Sequence, residues 1–357
     1  MATSIIADRV TVTLKQAAAL ILANPGNRFF LQGEPGIGKS SIIKMLAAST
    51  GYATAYIDCP NMDLGDIAMP VIDHETRTTR YYPNGRFQLH HGKPVIIMLD
   101  EFTKAADPVK NMLHPLLEVH NPRLGDVSLP PGSIVFLTGN LESDGVGDSL
   151  LAHTKMRITR VEVGKPAADE WLEWAVGNDV DPIVMAWVKR TPHCLASYRE
   201  GNQKGNEFIY MPNTVQESVV TPRTLELVSN IIKMRHAFDP DALRAAMIGT
   251  VGASAASSIA AFIQHHESLP SWEEITTNPL GARIPANDGA MHVLVFGAVQ
   301  RVRTPQEMDA MMEYTGRCHV EWQSIFNLQM AKNHANQALL FRCAKFAKWI
   351  TKNQDLL

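Results

Sequence analysis

The sequence predicts an α/β fold: a parallel sheet interleaved with helices, followed by a helical second half. Three observations lead there. Short strand-like runs recur through the first 164 residues, with room for a helix between successive runs. Two of them, Pro94-Val95-Ile96-Ile97-Met98-Leu99 and Ser133-Ile134-Val135-Phe136-Leu137-Thr138, are almost wholly apolar. Such runs suit central parallel strands covered on both faces. Beyond Gly164 the apolar spacing turns helical and no strand ladder is evident.

Taken in order, Arg28–Gln32 is a short β-favouring run, and Ile42, Ile43, Met45 and Leu46 carry helical spacing. Thr54–Asp58 reads as the second strand and Pro94–Leu99 as the third. Val109, Met112, Leu113, Leu116 and Leu117 make one face of a helix, Ser133–Thr138 is a fourth strand, and Arg157–Val163 a fifth. Thr221-Pro222-Arg223 starts a helix, with Thr221 as cap, Pro222 in the first turn and Leu225, Val228, Ile231 and Ile232 on one face. A further helix is expected over Leu243–Ile263. The prolines at 270, 279 and 285 mark a loop, so the expected domains are 1–164, a helical domain 165–268 and a helical C-terminal extension 269–357.

The first strand–helix junction carries the most specific motif. Gly33-Glu34-Pro35-Gly36-Ile37-Gly38-Lys39-Ser40 spells G-x-x-x-x-G-K-[ST], with Ser41 following. A loop between a strand and a helix N-terminus aims successive backbone N–H groups at one point, where the helix dipole also favours an anion. Lys39 would reach the β- and γ-phosphates and Ser40 would ligate Mg²⁺. The sequence therefore predicts nucleoside triphosphate binding.

Asp100 and Glu101 follow the third strand, at the sheet's carboxyl end, where ligands of parallel sheets bind. Asp100 is expected to hold Mg²⁺ and Glu101 to polarise the attacking water. Asn140 follows the fourth strand, where an amide can bond both that water and the γ-phosphate; Gly139-Asn140 is also ordinary turn chemistry. Arg223 in a first helical turn opposes the helix dipole, which a nearby anion would offset. Alternatively it pairs with Glu226 or lays its stem on apolar surface.

Bulk properties narrow the function classes. The chain has 357 residues, 45% hydrophobic and 19% charged, as in ordinary globular proteins. A net charge of −3 gives no global attraction to nucleic acid or anionic membrane. No membrane-length apolar run or secretory signal is visible, and the four scattered cysteines read as reduced thiols of a cytoplasmic protein. The pairs His193-Cys194 and Cys318-His319 complete no four-ligand set. A guanine-reading Asn-Lys-x-Asp is absent, since Thr351-Lys352-Asn353-Gln354-Asp355 has the wrong order.

With these elements in this order, the chain resembles the AAA+ ATPases and, within them, the MoxR family. The matching segments are GEPGIGKS (33–40), IIMLDE (96–101), FLTGN (136–140) and TPRTLE (221–226). Asp63–Ile67 with Pro70, and Arg123–Asp126 leading as a hairpin to Leu129-Pro130, agree as well. The resemblance implies a P-loop NTPase core with a helical lid, ATP and Mg²⁺ as cofactors, and hydrolysis of ATP. It makes Asn140 sensor 1, Arg223 sensor 2 and Arg157 an arginine finger acting on a neighbouring subunit's nucleotide. The usual Asp-Arg-Phe is replaced by Lys155-Met156-Arg157-Ile158, leaving Arg160 as a competitor for the finger. It further implies a homo-oligomer, usually a hexameric ring, a von Willebrand A domain partner, and a remodelled protein client. Met69, Tyr81 and Tyr82 would then face the pore, or else pack a hairpin. A nucleic-acid motor or loader on the same core is the alternative, and predicts a basic, salt-sensitive surface.

Overall fold

The computed structural model of the chain describes residues 10–141, 150, 152–212, 214–267, 269–333 and 336–353. Contacts divide the chain into two compact units, Met1–Lys165 with Pro212–Thr214, and Pro166–Met211 with Val215–Leu357.

The first unit runs β1 (Thr11–Val12), α1 (Leu14–Ala23), β2 (Phe29–Gln32), α2 (Ile42–Thr50) and β3 (Ala53–Asp58). A hairpin follows, β4 (Ala68–Asp73) and β5 (Thr78–Pro83), then β6 (Val95–Asp100) and α3 (Asp107–Leu113). A second hairpin, β7 (Arg123–Leu124) and β8 (Val127–Ser128), leads to β9 (Ile134–Gly139), α4 (Ala152–Lys155) and β10 (Thr159–Val163). Six strands form one sheet in the order β1-β10-β2-β9-β6-β3, and every neighbouring pair is parallel. Both hairpins are antiparallel. The predicted α/β class and all five predicted strands are present; β1, two residues at the sheet edge, is too short to carry a pattern.

Alternation along the strands builds two cores. Phe29, Leu31, Ile96, Met98, Ile134 and Phe136 pack with Ala17, Ile21, Ile42 and Leu46 of α1 and α2. Phe30, Ile97, Leu99, Val135 and Leu137 pack on the other face with Val109, Leu113, Leu116 and Leu117. Strand side chains point alternately to opposite faces, so a continuous apolar run serves both cores at once.

Arg28, just before β2, is 3% exposed. Its Nε donates to the Leu116 carbonyl at 2.8 Å, Nη1 to Gly26 at 2.8 Å and Nη2 to Glu118 at 3.3 Å. Burial lowers its pKa, and each of these acceptors is a backbone carbonyl. Arg28→Ala leaves the buried Leu116 carbonyl without this donor and releases the partly buried bonds to Gly26 and Glu118. It is expected to destabilise the protein by about 2–4 kcal/mol, read as a lower urea midpoint. A change below about 0.5 kcal/mol, the level of an ordinary surface substitution, would contradict this account.

Three expectations about elements change. The helix over 109–117 stops at Leu113 and continues as a 3₁₀ turn, His114–Leu117, because Pro115 lacks the N–H that an α-helix interior requires. Arg157 does not open the fifth strand but precedes it, its N–H donating to the Thr154 carbonyl at 3.0 Å. The helix over 243–263 is two helices broken at Gly252, which adopts φ +85°, where a Cβ would lie 2.8 Å from the Ser218 carbonyl oxygen.

Among its described residues the regular structure of the second unit is all helical: α5 (Ala168–Gly177), α6 (Pro182–Arg190), α7 (Pro222–Lys233), α8 (Pro240–Val251) and α9 (Ala253–Glu267). Then come α10 (Trp272–Thr277), α11 (Asp288–Arg301), α12 (Pro305–Gly316), α13 (Val320–Lys332), α14 (Gln337–Leu340) and α15 (Ala344–Lys352). The proline-punctuated loop thus contains a short helix. Residues 290–299 of α11 are all buried, and α11 packs on α6, α9 and α13. A helix that is apolar all round must lie inside a core. The segment after 269 therefore supplies the central helix of the same unit as 166–267, and one apolar cluster runs from Trp171 to Trp349.

Candidate nucleotide-binding site

The loop after β2 has the backbone that its glycines permit. Gly36 and Gly38 take φ of +74° and +98°, and the chain then enters a 3₁₀ turn, Lys39–Ser41, that runs into α2. These values fall where L side chains are strained, so glycine is required for the bend. A Cβ at Gly33 would sit 2.6 Å from both the Val163 carbonyl oxygen and Ile37 Cδ1. The start of the loop is thus pressed against the end of β10. The Ser41 hydroxyl donates to the Gly38 carbonyl at 2.7 Å, closing the turn from inside.

Lys39 folds back across this loop. Its ammonium donates to the carbonyls of Gly33 at 2.7 Å and Glu34 at 2.9 Å, and to Asn140 Oδ1 at 3.3 Å. Asn140 and Glu34 are buried. The lysine of the loop and the amide after β9, separated by a hundred residues of sequence, therefore meet.

Asp100 is the last residue of β6 and is held on both carboxylate oxygens. Tyr56 Oη of β3 donates to Oδ2 at 2.6 Å, and Thr138 Oγ1 of β9 donates to Oδ1. The same Thr138 hydroxyl accepts the Glu101 N–H at 3.3 Å. Glu101 adopts φ +47°, an uncommon conformation for a non-glycine residue, at the point where the chain leaves the sheet. Its carboxylate pairs with Lys104 Nζ at 2.7 Å. Burial, with the charges of Asp100 and Asp58 beside it, pushes the Cys59 thiol far up, so this cysteine is not a nucleophile.

The arginines are placed differently. Arg157 Nη2 pairs with Glu118 Oε1 at 2.9 Å, and Nη1 lies 3.0 and 2.8 Å from Nδ1 and Nε2 of His114. Arg160, at the exposed edge of β10, donates from Nε and Nη2 to Gln32 Oε1 at 3.0 and 2.6 Å. Arg223 belongs to the second unit, in a first turn capped by Thr221, which accepts the Thr224 N–H at 3.1 Å. Its side chain is exposed and makes no hydrogen bond or ion pair with a described residue, Glu226 included. Sequence reasoning had not singled out Thr138, Tyr56, Gln32 or Lys104. Thr138 and Gln32 offered a signal: each is polar at the carboxyl end of an otherwise apolar strand.

Residues 28–140 match the family model of the AAA domain (dynein-related subfamily). The match runs from the buried arginine before β2 to the amide after β9, and so takes in the phosphate loop and both acids. With the six-stranded parallel sheet, this is the α/β P-loop NTPase core of AAA+ type that the sequence predicted. No curated protein matches the chain. Among solved structures, NtrX from Brucella abortus in complex with ADP is similar at 13% identity and TM-score 0.41, covering 96% of this chain and 67% of that one. The Thermotoga maritima RuvB Holliday junction branch migration motor is similar at 14% identity and TM-score 0.36, covering 75% of each chain.

A triphosphate and magnesium suit these residues. The positive φ at Gly36 and Gly38 gives the loop the bend that a phosphate-binding turn needs, and Ser40 and Asp100 supply hard oxygen donors. Among the described residues no group of three or more His, Cys, Asp or Glu side chains could hold a metal ion. Magnesium needs no such cage, since it is usually held by one or two protein oxygens together with substrate phosphates and water. No helix among the described residues is long and apolar enough to cross a membrane.

Proposed function

We propose that the protein is a magnesium-dependent ATPase of AAA+ type, working as a ring-forming homo-oligomer that remodels or activates a partner protein. One observation carries the reading. Strand β9 joins both halves of the site: Asn140 meets Lys39, and Thr138, two residues earlier, holds Asp100. In this reading a change in what Lys39 and Asn140 bind reaches the acids through Thr138, two residues before Asn140.

In this reading the loop from Gly33 to Ser41 cradles the phosphates with its backbone N–H groups, and Lys39 exchanges carbonyl partners for phosphate oxygens. Ser40 and Asp100 would hold magnesium, which supplies charge neutralisation for the phosphate oxygens. Glu101 draws a proton from the attacking water as its oxygen bonds to the γ-phosphorus and the bond to the bridging oxygen of ADP breaks. Asn140 orients that water against the γ-phosphate. Arg223, exposed and without a partner among the described residues, has the property an anion-sensing residue needs.

Met69, Tyr81 and Tyr82 are 56%, 46% and 47% exposed on the β4–β5 hairpin. Exposed apolar and aromatic side chains suit contact with a protein client. A von Willebrand A domain protein is the partner class we assign on the MoxR resemblance, and four cysteines that form no disulfide suit the cytoplasm.

Arg157 is assigned as the finger acting on the neighbouring subunit's nucleotide. Arg157→Ala protein is expected to bind ATP normally and to hydrolyse it at least about 10³-fold more slowly. Mixing it with Lys39→Ala protein restores part of the turnover, because each Lys39→Ala subunit brings an intact finger to a neighbour that can bind ATP. Mixtures no more active than either variant alone would remove the trans assignment.

A further inference from the structure

We propose that Gln32 and Arg160 are positioning residues for hydrolysis, and that Arg160 acts on the site through Gln32 rather than as a finger. This rests on the reading that Asn140 contacts the nucleotide or its attacking water.

The argument starts from the geometry of one amide. Gln32 ends β2, immediately before the phosphate loop, and is 7% exposed. Its Oε1 accepts two N–H groups from the Arg160 guanidinium, at 3.0 and 2.6 Å. A charged donor pair of this kind settles which end of the amide faces it, since the NH₂ end would meet the cation with its own hydrogens. Nε2 is therefore directed the other way, where it donates to the backbone carbonyl of Asn140 at 3.3 Å. The Asn140 side chain in turn accepts from Lys39 at 3.3 Å.

The chain of contacts runs Arg160, Gln32, Asn140, Lys39, from β10 across β2 to β9 and back to the loop. Its middle is built into the sheet. Gln32 pairs in register with Glu162 on one side and with Gly139 on the other, so its side chain lies between β10, which carries Arg160 two residues before Glu162, and the carboxyl end of β9, which leads to Asn140. Gly139 leaves little slack: a Cβ there would lie 2.7 Å from Phe30 Cζ. With the backbone of β9 fixed up to Gly139, the Gln32 bond to the next carbonyl sets how the peptide leaves the sheet. That exit direction aims the Asn140 amide. A group that orients a reacting water needs placement to a fraction of an ångström, which neighbouring hydrogen bonds must provide.

The test is a double-mutant cycle on the full-length protein with ATP hydrolysis as readout. Gln32→Met keeps the length of the side chain and removes both polar ends, and Arg160→Ala removes the guanidinium. Each is expected to lower kcat about 10-fold with KM for ATP within 2-fold. The double variant is expected to be no slower than Gln32→Met alone, because in the relay the effect of Arg160 on Asn140 passes through Gln32. Arg160→Lys, which keeps a donor to Oε1, is expected to recover part of the loss. Losses that multiply in the double variant overturn the relay. Restoration of Arg160→Ala turnover by mixing with Lys39→Ala subunits also overturns it, in favour of a finger role. Equal losses in kcat and in melting temperature, with no gain from Arg160→Lys, reduce the pair to structural residues and overturn it as well. Asn140→Ala separates this proposal from the one beneath it: if that variant turns over like wild type, the Asn140 role falls first and the relay with it.

Discussion

Lys39→Ala protein is expected to bind ATP at least about 100-fold more weakly than wild type, measured by calorimetry with magnesium present. The ammonium is the one full positive charge within the loop, and hydrogen bonds to charged groups are worth about 1.5–3 kcal/mol each. Losing even one of the stronger bonds to phosphate reaches two decades, at about 1.4 kcal/mol per tenfold. Because Lys39 also ties the Gly33 and Glu34 carbonyls to Asn140, part of the effect could come from a loosened loop. Lys39→Met, similar in length but without donors, has the same expected loss, and a melting curve of each variant separates the two causes. Affinity equal to wild type in a folded variant would remove the phosphate-loop assignment altogether.

Glu101→Gln protein should show the opposite split: affinity for ATP retained, turnover reduced by about 10²–10⁴-fold, the range for loss of a positioned general base. The amide keeps the shape of the side chain and cannot take the proton. The backbone of Glu101 stays held by Thr138 at 3.3 Å, so the φ +47° exit from β6 is preserved and the variant is expected to fold. Single-turnover chase of bound nucleotide reads the outcome. ATP recovered intact supports the assignment, and prompt appearance of ADP would assign proton transfer to another group. The trapped form is also the one in which a client should stay attached, which makes it the bait for identifying the remodelled protein.

The two variants draw on different parts of the same strand-end cluster, which is why they are expected to split binding from turnover. Lys39 belongs to the loop that grips phosphate. Glu101 hangs from the end of β6, in the group that Thr138 links across to β9.

How far the site could be read from sequence depends on where each interaction lies along the chain. The loop at 33–40 was legible because its chemistry is local: glycines bend the backbone, and the lysine and serine follow at fixed spacing. Asp100 and Asn140 were legible because each follows an apolar run whose burial forces it to be a central strand, so its end must lie at the ligand edge. That placement brings Asn140 to the loop, and its contact with Lys39 itself was seen only in the structure. The Gln32–Arg160 contact did not, since it depends on β10 lying beside β2, and nothing in either strand's own pattern names its neighbour. The placement of Arg157 was missed for a similar reason, because its partners His114 and Glu118 lie on and just after a 3₁₀ turn that Pro115 forces out of an expected helix.

The second half shows the same division. Apolar periodicity revealed helices but not which of them share a core. The extension expected after 269 was drawn from prolines in a loop, and a loop marks a turn of the chain, not the limit of a hydrophobic cluster. Helix α11 is buried on every side, which only neighbours from before and after the loop can accomplish.

By itself the sequence determined the α/β class, the glycine-bent loop at 33–40, and the places of Asp100, Glu101 and Asn140 at the carboxyl ends of their strands, because short-range backbone sterics and strand burial act within a few residues. Only the tertiary structure decided the strand order, the bonds that hold Asp100, the engagement of Arg160 with Gln32, and the single core of the helical half. Those depend on which distant surfaces meet, and shape and buried area choose the partner where a one-dimensional pattern leaves several open.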